Sequence, residues 1–259
     1  MQMSRVVALV TGGASGLGRA TAEGIVKAGG RALIADLPSS GGEGVASALN
    51  EEVGSERCLY VPTDVTSEED VERAIEELDS WGGVNVAVSC AGIGVAIKTV
   101  SKRGAHPQAD FNRVLAVNVG GTFNVTRLAA QRMSEHEASD DGQRGVIINT
   151  ASIAAYDGQI GQAAYGASKA AIAGMTLPIA RDLSSLGIRV NTVAPGLFDT
   201  PLLASLPEKV KAQLGSTVPN PSRLGDPAEF GKLVRSIIGN TMINGEVIRI
   251  DGALRMPPS

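Results

Sequence analysis

Short apolar runs rich in β-branched residues alternate along the chain with longer stretches in which apolar positions recur every three or four residues. The runs fall at 6–10, 32–35, 58–61, 84–89, 146–149, 190–193 and 247–250. Each is apolar enough to be buried on both faces of a parallel sheet, so seven strands are expected. Between them the pattern is helical. Ser67 stands as an N-cap ahead of Glu68, Glu69 and Asp70, and Val71, Ala74, Ile75 and Leu78 follow at helical spacing. The two longest helices are expected at 110–133 and 162–186, the second kinked at Pro178, which has no N–H to give. Right-handed crossovers place helices on both faces of such a sheet and open a crevice at the carboxyl ends of its strands. The expected architecture is therefore one α/β domain over 1–259, a doubly wound parallel sheet. Two irregular segments rich in Gly, Pro and Ser, 92–107 and 196–221, are read as rims of the crevice.

Composition narrows the function. Of 259 residues, 32 are glycine, well above the usual share of about 7%, with no collagen period, so many tight turns are implied. Aromatic residues make up 3% and the formal net charge is −4, which disfavours a nucleic-acid partner. No run approaches the roughly 18 uncharged apolar residues of a membrane span, so no membrane partner is expected. Cys58 and Cys90 sit in apolar runs without CxxC spacing, as reduced thiols do, and no targeting pattern leads the chain; a cytoplasmic location is expected. His106 and His136 lack metal-ligand spacing, are assigned to the surface, and no metal is expected.

The strongest local signal follows the first strand: Thr11-Gly12-Gly13-Ala14-Ser15-Gly16-Leu17-Gly18 opens a helix-compatible run through Ala20, Ile25 and Val26. Gly12, Gly16 and Gly18 permit the tight turn. The turn then lets a diphosphate approach main-chain N–H groups at the positive end of the helix dipole, although a glycine cluster can also be a turn and nothing more. Asp36 ends the next strand near the spacing at which an acidic residue takes the adenosine ribose hydroxyls. Its charge would repel a 2′-phosphate, and no nearby cation offsets it, so NAD is expected in preference to NADP. Asp64 and Val65 after the third strand, and Ala91 and Gly92 after the fourth, reach the same edge as candidate adenine and ribose contacts. The fold class is then of Rossmann type.

Tyr165 and Lys169 lie four apart on a predicted helix and share one face. Ser152 follows the strand at 146–149, close to where the reactive end of the cofactor is expected, and Asn118 stands inside the preceding long helix. Hydride transfer at a hydroxyl-bearing carbon needs one group to exchange the hydroxyl proton, and Tyr165 fits that role. A free phenol has a pKa near 10, and a cation about 4 Å away offers about 4 kcal/mol at an effective dielectric of 20. Lys169 and the nicotinamide charge are expected to bring Tyr165 down, Ser152 to hydrogen-bond the substrate oxygen, and Asn118 to order Lys169 through backbone or water. Lys98, Lys102 and Arg103 form a basic group in the first rim, either a phosphate contact or a solvated loop. Leu197, Phe198, Leu202, Leu203 and Leu206 offer an apolar lid in the second.

With Thr11 to Gly18, Asn118, Ser152, Tyr165, Lys169 and Asn191-Thr192-Val193-Ala194-Pro195-Gly196 in order, the chain resembles the short-chain dehydrogenase/reductase family over essentially its whole length. It departs at Ser89-Cys90-Ala91-Gly92, where most members carry Asn-Asn-Ala-Gly. The segments 149–159, 174–183, 195–203 and 221–227 further resemble its type II 3-hydroxyacyl-CoA dehydrogenases, also described as type 10 17β-hydroxysteroid dehydrogenases. That resemblance implies oxidation of 3-hydroxyacyl-CoA, including 3-hydroxy-2-methylbutyryl-CoA, with NAD, in fatty-acid metabolism and isoleucine degradation, by a homotetramer. It implies cofactor contacts at Ser15, Leu17, Asp36, Asp64, Val65, Cys90, Tyr165, Lys169 and Phe198. It also implies catalysis by Ser152 and Tyr165 with support from Asn118 and Lys169. The alternatives are an NADPH-linked 3-oxoacyl-thioester (acyl carrier protein) reductase, against which Asp36 stands, a hydroxysteroid dehydrogenase, and an NAD-binding scaffold without turnover.

Overall fold

Strand β1 (Val7–Thr11) sends successive side chains into two different apolar layers, Ala8 and Val10 into one and Val7 and Leu9 into the other. The two-residue period of a strand makes this division unavoidable, and it is why the run shows no polar alternation. The computed structural model describes residues 1–204 and 207–258. After β1 the chain runs through α1 (Gly16–Lys27), β2 (Arg31–Asp36), α2 (Gly42–Val53), β3 (Cys58–Pro62), α3 (Glu68–Glu76) and β4 (Val86–Ser89). A small hairpin of β5 (Val100–Ser101) and β6 (Gly104–Ala105) precedes α4 (Gln108–Leu115), α5 (Thr122–Ser134), β7 (Gly145–Thr150) and α6 (Ala163–Asp182). The remainder is β8 (Ile188–Pro195), α7 (Pro201–Ala204), α8 (Glu208–Ser216), α9 (Pro227–Gly239) and β9 (Val247–Ile250).

Seven parallel strands form a single sheet in the order β3, β2, β1, β4, β7, β8, β9. Ile25 of α1, Leu49 of α2 and Phe230 of α9 cover one face; Val71 of α3, Val125 of α5 and Ala180 of α6 cover the other. This is a Rossmann-like single domain, and its strand order reverses beside β1, where such sheets open a crevice. All seven expected strands are present with ends moved by a few residues. Burial on both faces holds for the inner strands, whereas β3 and β9, each with a neighbour on one side only, are largely half-buried.

Two helix expectations need correction. The stretch 110–133 is not one regular helix: between α4 and α5 the turn Ala116–Gly121 widens to π geometry. Within it Gly121 lies against β3's following loop, where a Cβ would come within 2.5 Å of Val65 Cγ2. Helix α6 passes through Pro178 and ends at Asp182, followed by a 3-10 turn at Ser184–Leu186. Pro178 and Gly174, whose carbonyl loses its partner, are both exposed, so that carbonyl is not buried without a donor. Both histidines are half-buried, and His106 packs edge-on to Phe111.

Arg189 of β8 fastens α9 to the sheet. Its buried guanidinium donates to the carbonyls of Ile237 (3.1 Å), Ile238 (3.1 Å) and Ile243 (2.7 Å). The first two belong to the last turn of α9, whose carbonyls have no partner inside the helix, and the cation also suits the negative end of the dipole. Arg189→Met should lower the unfolding free energy by about 2–4 kcal/mol in urea titrations, because three buried carbonyls lose a charged donor. Arg189→Lys should recover less than half of that loss, since one ammonium cannot span all three.

Candidate active site

Residues at the carboxyl ends of six strands meet at one cavity of about 440 Å³. Gly12 follows β1, Asp36 ends β2, and Asp64 and Val65 follow β3. Cys90, Ala91 and Gly92 follow β4, Thr150 ends β7, and Pro195 ends β8. Ser15, Gly16, Leu17 and Gly18 form the wall where α1 begins, and Tyr165 and Lys169 reach in from α6. Thus every expected cofactor contact except Phe198 lines the same space. Phe198 is buried against Gly225, whose Cβ would lie 2.7 Å from the ring, and its side chain belongs to the apolar layer under α9.

The glycine turn is built for close backbone approach. Gly12 has φ +64°, and a Cβ there would meet the Ala91 nitrogen at 2.7 Å; at Gly18 it would stand 2.2 Å from the Gly12 carbonyl oxygen. Ser15 is extended and makes no side-chain capping bond, so the first N–H groups of α1 have no partner within the helix and suit an anion. Asp36 braces this turn from β2. Its carboxylate accepts from the Ala14 N–H (3.0 Å) and from its neighbour Leu37 (2.8 Å).

On α6, the Lys169 ammonium is buried and donates to the Thr150 carbonyl at 2.8 Å, 5.7 Å from the centre of the Tyr165 ring. Burial pulls its pKa down from 10.5 to about 8. Burial likewise holds the Tyr165 phenol above its ordinary value of 10, while the Ser152 hydroxyl pulls the other way. In the chain alone desolvation of the phenolate dominates; the lowering expected of Lys169 and the nicotinamide charge acting together concerns the cofactor-bound site. Burial also pushes the Cys90 thiol up to about 11, against the smaller opposing effects of Thr150 and Lys169. Ser152, immediately after β7, accepts from the Ala154 N–H at 3.1 Å and keeps 9% exposure.

Among the described residues, the Asn118 side chain makes no direct bond to Lys169. It is fully buried in the π turn, where its Oδ1 accepts from the Ile93 N–H and its Nδ2 donates to the Ile93 carbonyl, both at 2.8 Å. A third bond runs from Nδ2 to Ser168 Oγ at 2.9 Å. The side chain thus fixes the start of the first rim, and Lys169 is ordered by Thr150. Sequence reasoning missed Thr63, Ile93, Gly94, Val117, Thr200 and Pro201, which also line the cavity. All six adjoin a residue singled out in the sequence or lie within two of it, and four fall in the segments read as rims, but none carries a distinctive side chain. The rims contain short elements with no visible period. Lys98, Lys102 and Arg103 are exposed on or beside the β5–β6 hairpin, next to a cleft of about 550 Å³ whose lining includes Lys98, Val100, Gln159 and Ile160. Leu197 and Leu203 are half-buried, and Leu206 lies outside the described residues.

Among the described residues no group of three His, Cys, Asp or Glu side chains is placed to hold a metal ion, and no helix is long and apolar enough to cross a membrane.

Comparison with known proteins decides the family. The short chain dehydrogenase model matches residues 6–211. The chain belongs to the short-chain dehydrogenase family. It is 60% identical over 256 residues to human 3-hydroxyacyl-CoA dehydrogenase type-2, covering 98% of this chain and 96% of that protein. Identity to the Drosophila melanogaster protein of the same name is 57% over 259 residues, covering 99% of this chain and all of the relative. The crystal structure of 3-hydroxyacyl-CoA dehydrogenase type-2 from Mycobacterium avium superposes with a TM-score of 0.94 at 42% identity, covering 100% of this chain and 99% of that one. The chain is accordingly an oxidoreductase, of a family that uses NAD or NADP.

The buried ammonium makes this family site costly to fold. Between about pH 8 and 10.5 the unfolded chain binds a proton at Lys169 that the folded chain lacks, so this destabilisation is full below pH 8 and fades as pH rises to 10.5. The interval corresponds to about 3 kcal/mol at about 1.4 kcal/mol per pH unit, an upper bound on the net gain because removing the lysine also strips the Thr150 carbonyl of its donor. Lys169→Met should melt above wild type at pH 7 by several degrees, with the difference shrinking toward pH 10, while turnover is lost.

Proposed function

We propose that the protein interconverts 3-hydroxyacyl-CoA and 3-oxoacyl-CoA with NAD as hydride acceptor, 3-hydroxy-2-methylbutyryl-CoA being among its substrates. The observation that carries this reading is the cavity itself, where a glycine turn at one end and Tyr165 with Lys169 at the other share a single space. The high identity to two proteins named 3-hydroxyacyl-CoA dehydrogenase type-2 supports the substrate class.

The residues present fit a dinucleotide. A Cβ at Gly12 or Gly18 would fill the cradle, and the first N–H groups of α1 suit the diphosphate. Asp36 at the cavity edge would accept from the ribose hydroxyls and repel a 2′-phosphate. When bound, NAD supplies the hydride acceptor at the hydroxyl-bearing carbon and a positive ring charge. Tyr165 takes the hydroxyl proton as the C–O bond gains double-bond character, and returns it in the reverse direction. Ser152 holds the substrate oxygen in both oxidation states. Lys169 adds its charge to the phenol's surroundings, against the burial that holds the phenol above its ordinary value in the chain alone.

The exposed cations of the first rim support recognition of the CoA phosphates, with the neighbouring cleft as a path for the pantetheine arm. On α6, Ala163, Ala167, Ala170, Gly174 and Leu177 form an exposed stripe at helical spacing, and such an apolar face supports a homotetramer. Cys58 and Cys90 as free thiols support a cytoplasmic location.

Tyr165→Phe should retain NAD binding and lose at least a thousandfold in kcat/KM for 3-hydroxybutyryl-CoA; near-normal turnover would reject the assignment. Wild type should prefer NAD to NADP in kcat/KM, and Asp36→Ala should raise the NADP-to-NAD ratio about tenfold or more. Neutralising Lys98, Lys102 and Arg103 together should raise KM for the acyl-CoA several-fold more than for the matching pantetheine thioester, and an equal effect on both would remove the rim from CoA recognition.

A further inference from the structure

Ser168 stands between Tyr165 and Lys169 in the sequence yet is absent from the cavity wall and fully buried behind it. We propose that Ser168 is a positioning residue, which ties Tyr165 through Asn118 to the first residues of the substrate rim. The inference rests on Tyr165 being the proton-exchanging group, and it adds a residue whose own atoms touch neither cofactor nor substrate.

A continuous run of short hydrogen bonds carries it. The Ile93 N–H donates to Asn118 Oδ1 at 2.8 Å, and Asn118 Nδ2 donates to the Ile93 carbonyl at 2.8 Å and to Ser168 Oγ at 2.9 Å. Ser168 Oγ in turn donates to the Tyr165 carbonyl at 2.7 Å. The polarity is unambiguous. A hydroxyl has one proton, and since Ser168 gives it to the Tyr165 carbonyl, its oxygen must accept from the amide. The amide is fixed in the same way, because only the observed orientation offers an acceptor to the Ile93 N–H and donors to the Ile93 carbonyl and Ser168 Oγ. A bond from a helical serine to the carbonyl three residues back is common and alone means little. The second bond, from a residue fifty positions away in the sequence, makes Ser168 a link between elements.

The surrounding backbone gives the link something to transmit. Asn118 lies in the Ala116–Gly121 π turn, a geometry that recurs at functional sites. A Cβ at Gly92 would stand 3.2 Å from Asn118 Oδ1 and 3.6 Å from Lys169 Nζ, and one at Gly94 would stand 3.5 Å from the Tyr165 ring. The main chain of the rim therefore packs against both side chains, Gly92 beside Lys169 and Gly94 beside the Tyr165 ring. Ile93, pinned on both of its backbone polar groups by Asn118, holds that segment in register with α6. Displacements near 1 Å at a reacting group can cost about a hundredfold in rate, so the register of Tyr165 against the rim bears directly on turnover.

The test uses the full-length enzyme with 3-hydroxybutyryl-CoA and NAD, comparing Ser168→Ala, Ser168→Cys, Asn118→Ala, Asn118→Ala/Ser168→Ala and Tyr165→Phe. Ser168→Ala should lower kcat three- to tenfold, leave the Kd for NAD within twofold, and move the acid limb of the kcat pH profile. Ser168→Cys, of similar volume but a weaker hydrogen-bonding group, should fall between, and it decides the matter if the alanine variant fails to fold. The double variant should be no slower than Asn118→Ala alone, as members of one chain are not additive. An unchanged kcat and pH profile in Ser168→Ala or Ser168→Cys, or full additivity with Asn118→Ala, would overturn the role of Ser168. An active Tyr165→Phe would instead overturn the reading of the site on which it rests.

Discussion

The Lys169 ammonium, out of water and held by the Thr150 carbonyl, sets the terms for much of what surrounds it. A charge in that position is unfavourable by several kcal/mol unless it has a good partner, and the partner here is a main-chain group at the very end of β7. The bond therefore fixes the height of α6 against the sheet. Tyr165, one turn earlier on the same helix, is fixed with it. Burial that lowers the lysine also raises the tyrosine, so the polypeptide alone leaves both groups away from their ordinary values in the direction of neutrality.

The groups that face the cavity also brace one another before anything binds. Asp36 accepts from the glycine turn at Ala14, Thr150 accepts from Lys169, and Asn118 grips both backbone groups of Ile93. A loop with two glycines in the left-handed region, Gly12 and Gly16, would otherwise pay heavily in conformational entropy on closing round a diphosphate. Fixing it from β2 means that the ordering is done by folding, which preorganises the site. The same economy explains why the site is polar at its edge and apolar behind: the two side-chain layers on either side of the sheet supply the burial that tolerates it.

Much of this was legible in the residue order. Seven apolar runs announced seven strands because a strand covered on both faces cannot alternate, and Ser67 announced its helix because its hydroxyl accepts from the Asp70 N–H. The glycine turn, Asp36 and the Tyr165 and Lys169 pair could be read because each depends on spacing within one element or across one turn. Less legible were the half-buried faces of β3 and β9, which follow from their place at the sheet edges, and the π turn at Ala116–Gly121, where Asn118 and two adjoining glycines weaken a helix without specifying that it widens.

By itself, the sequence determined the alternation of strands and helices, the glycine turn after β1 and the placing of Tyr165 and Lys169 on one helix face, since these rest on local period and backbone freedom. Only the tertiary structure decided that Asn118 reaches Ile93 and Ser168, that Phe198 packs under α9, and that burial outweighs the Ser152 hydroxyl at the Tyr165 phenol. Hydrogen-bond partners and desolvation depend on which residues distant in the chain come within about 3 Å and on what water is excluded, and no local pattern encodes either.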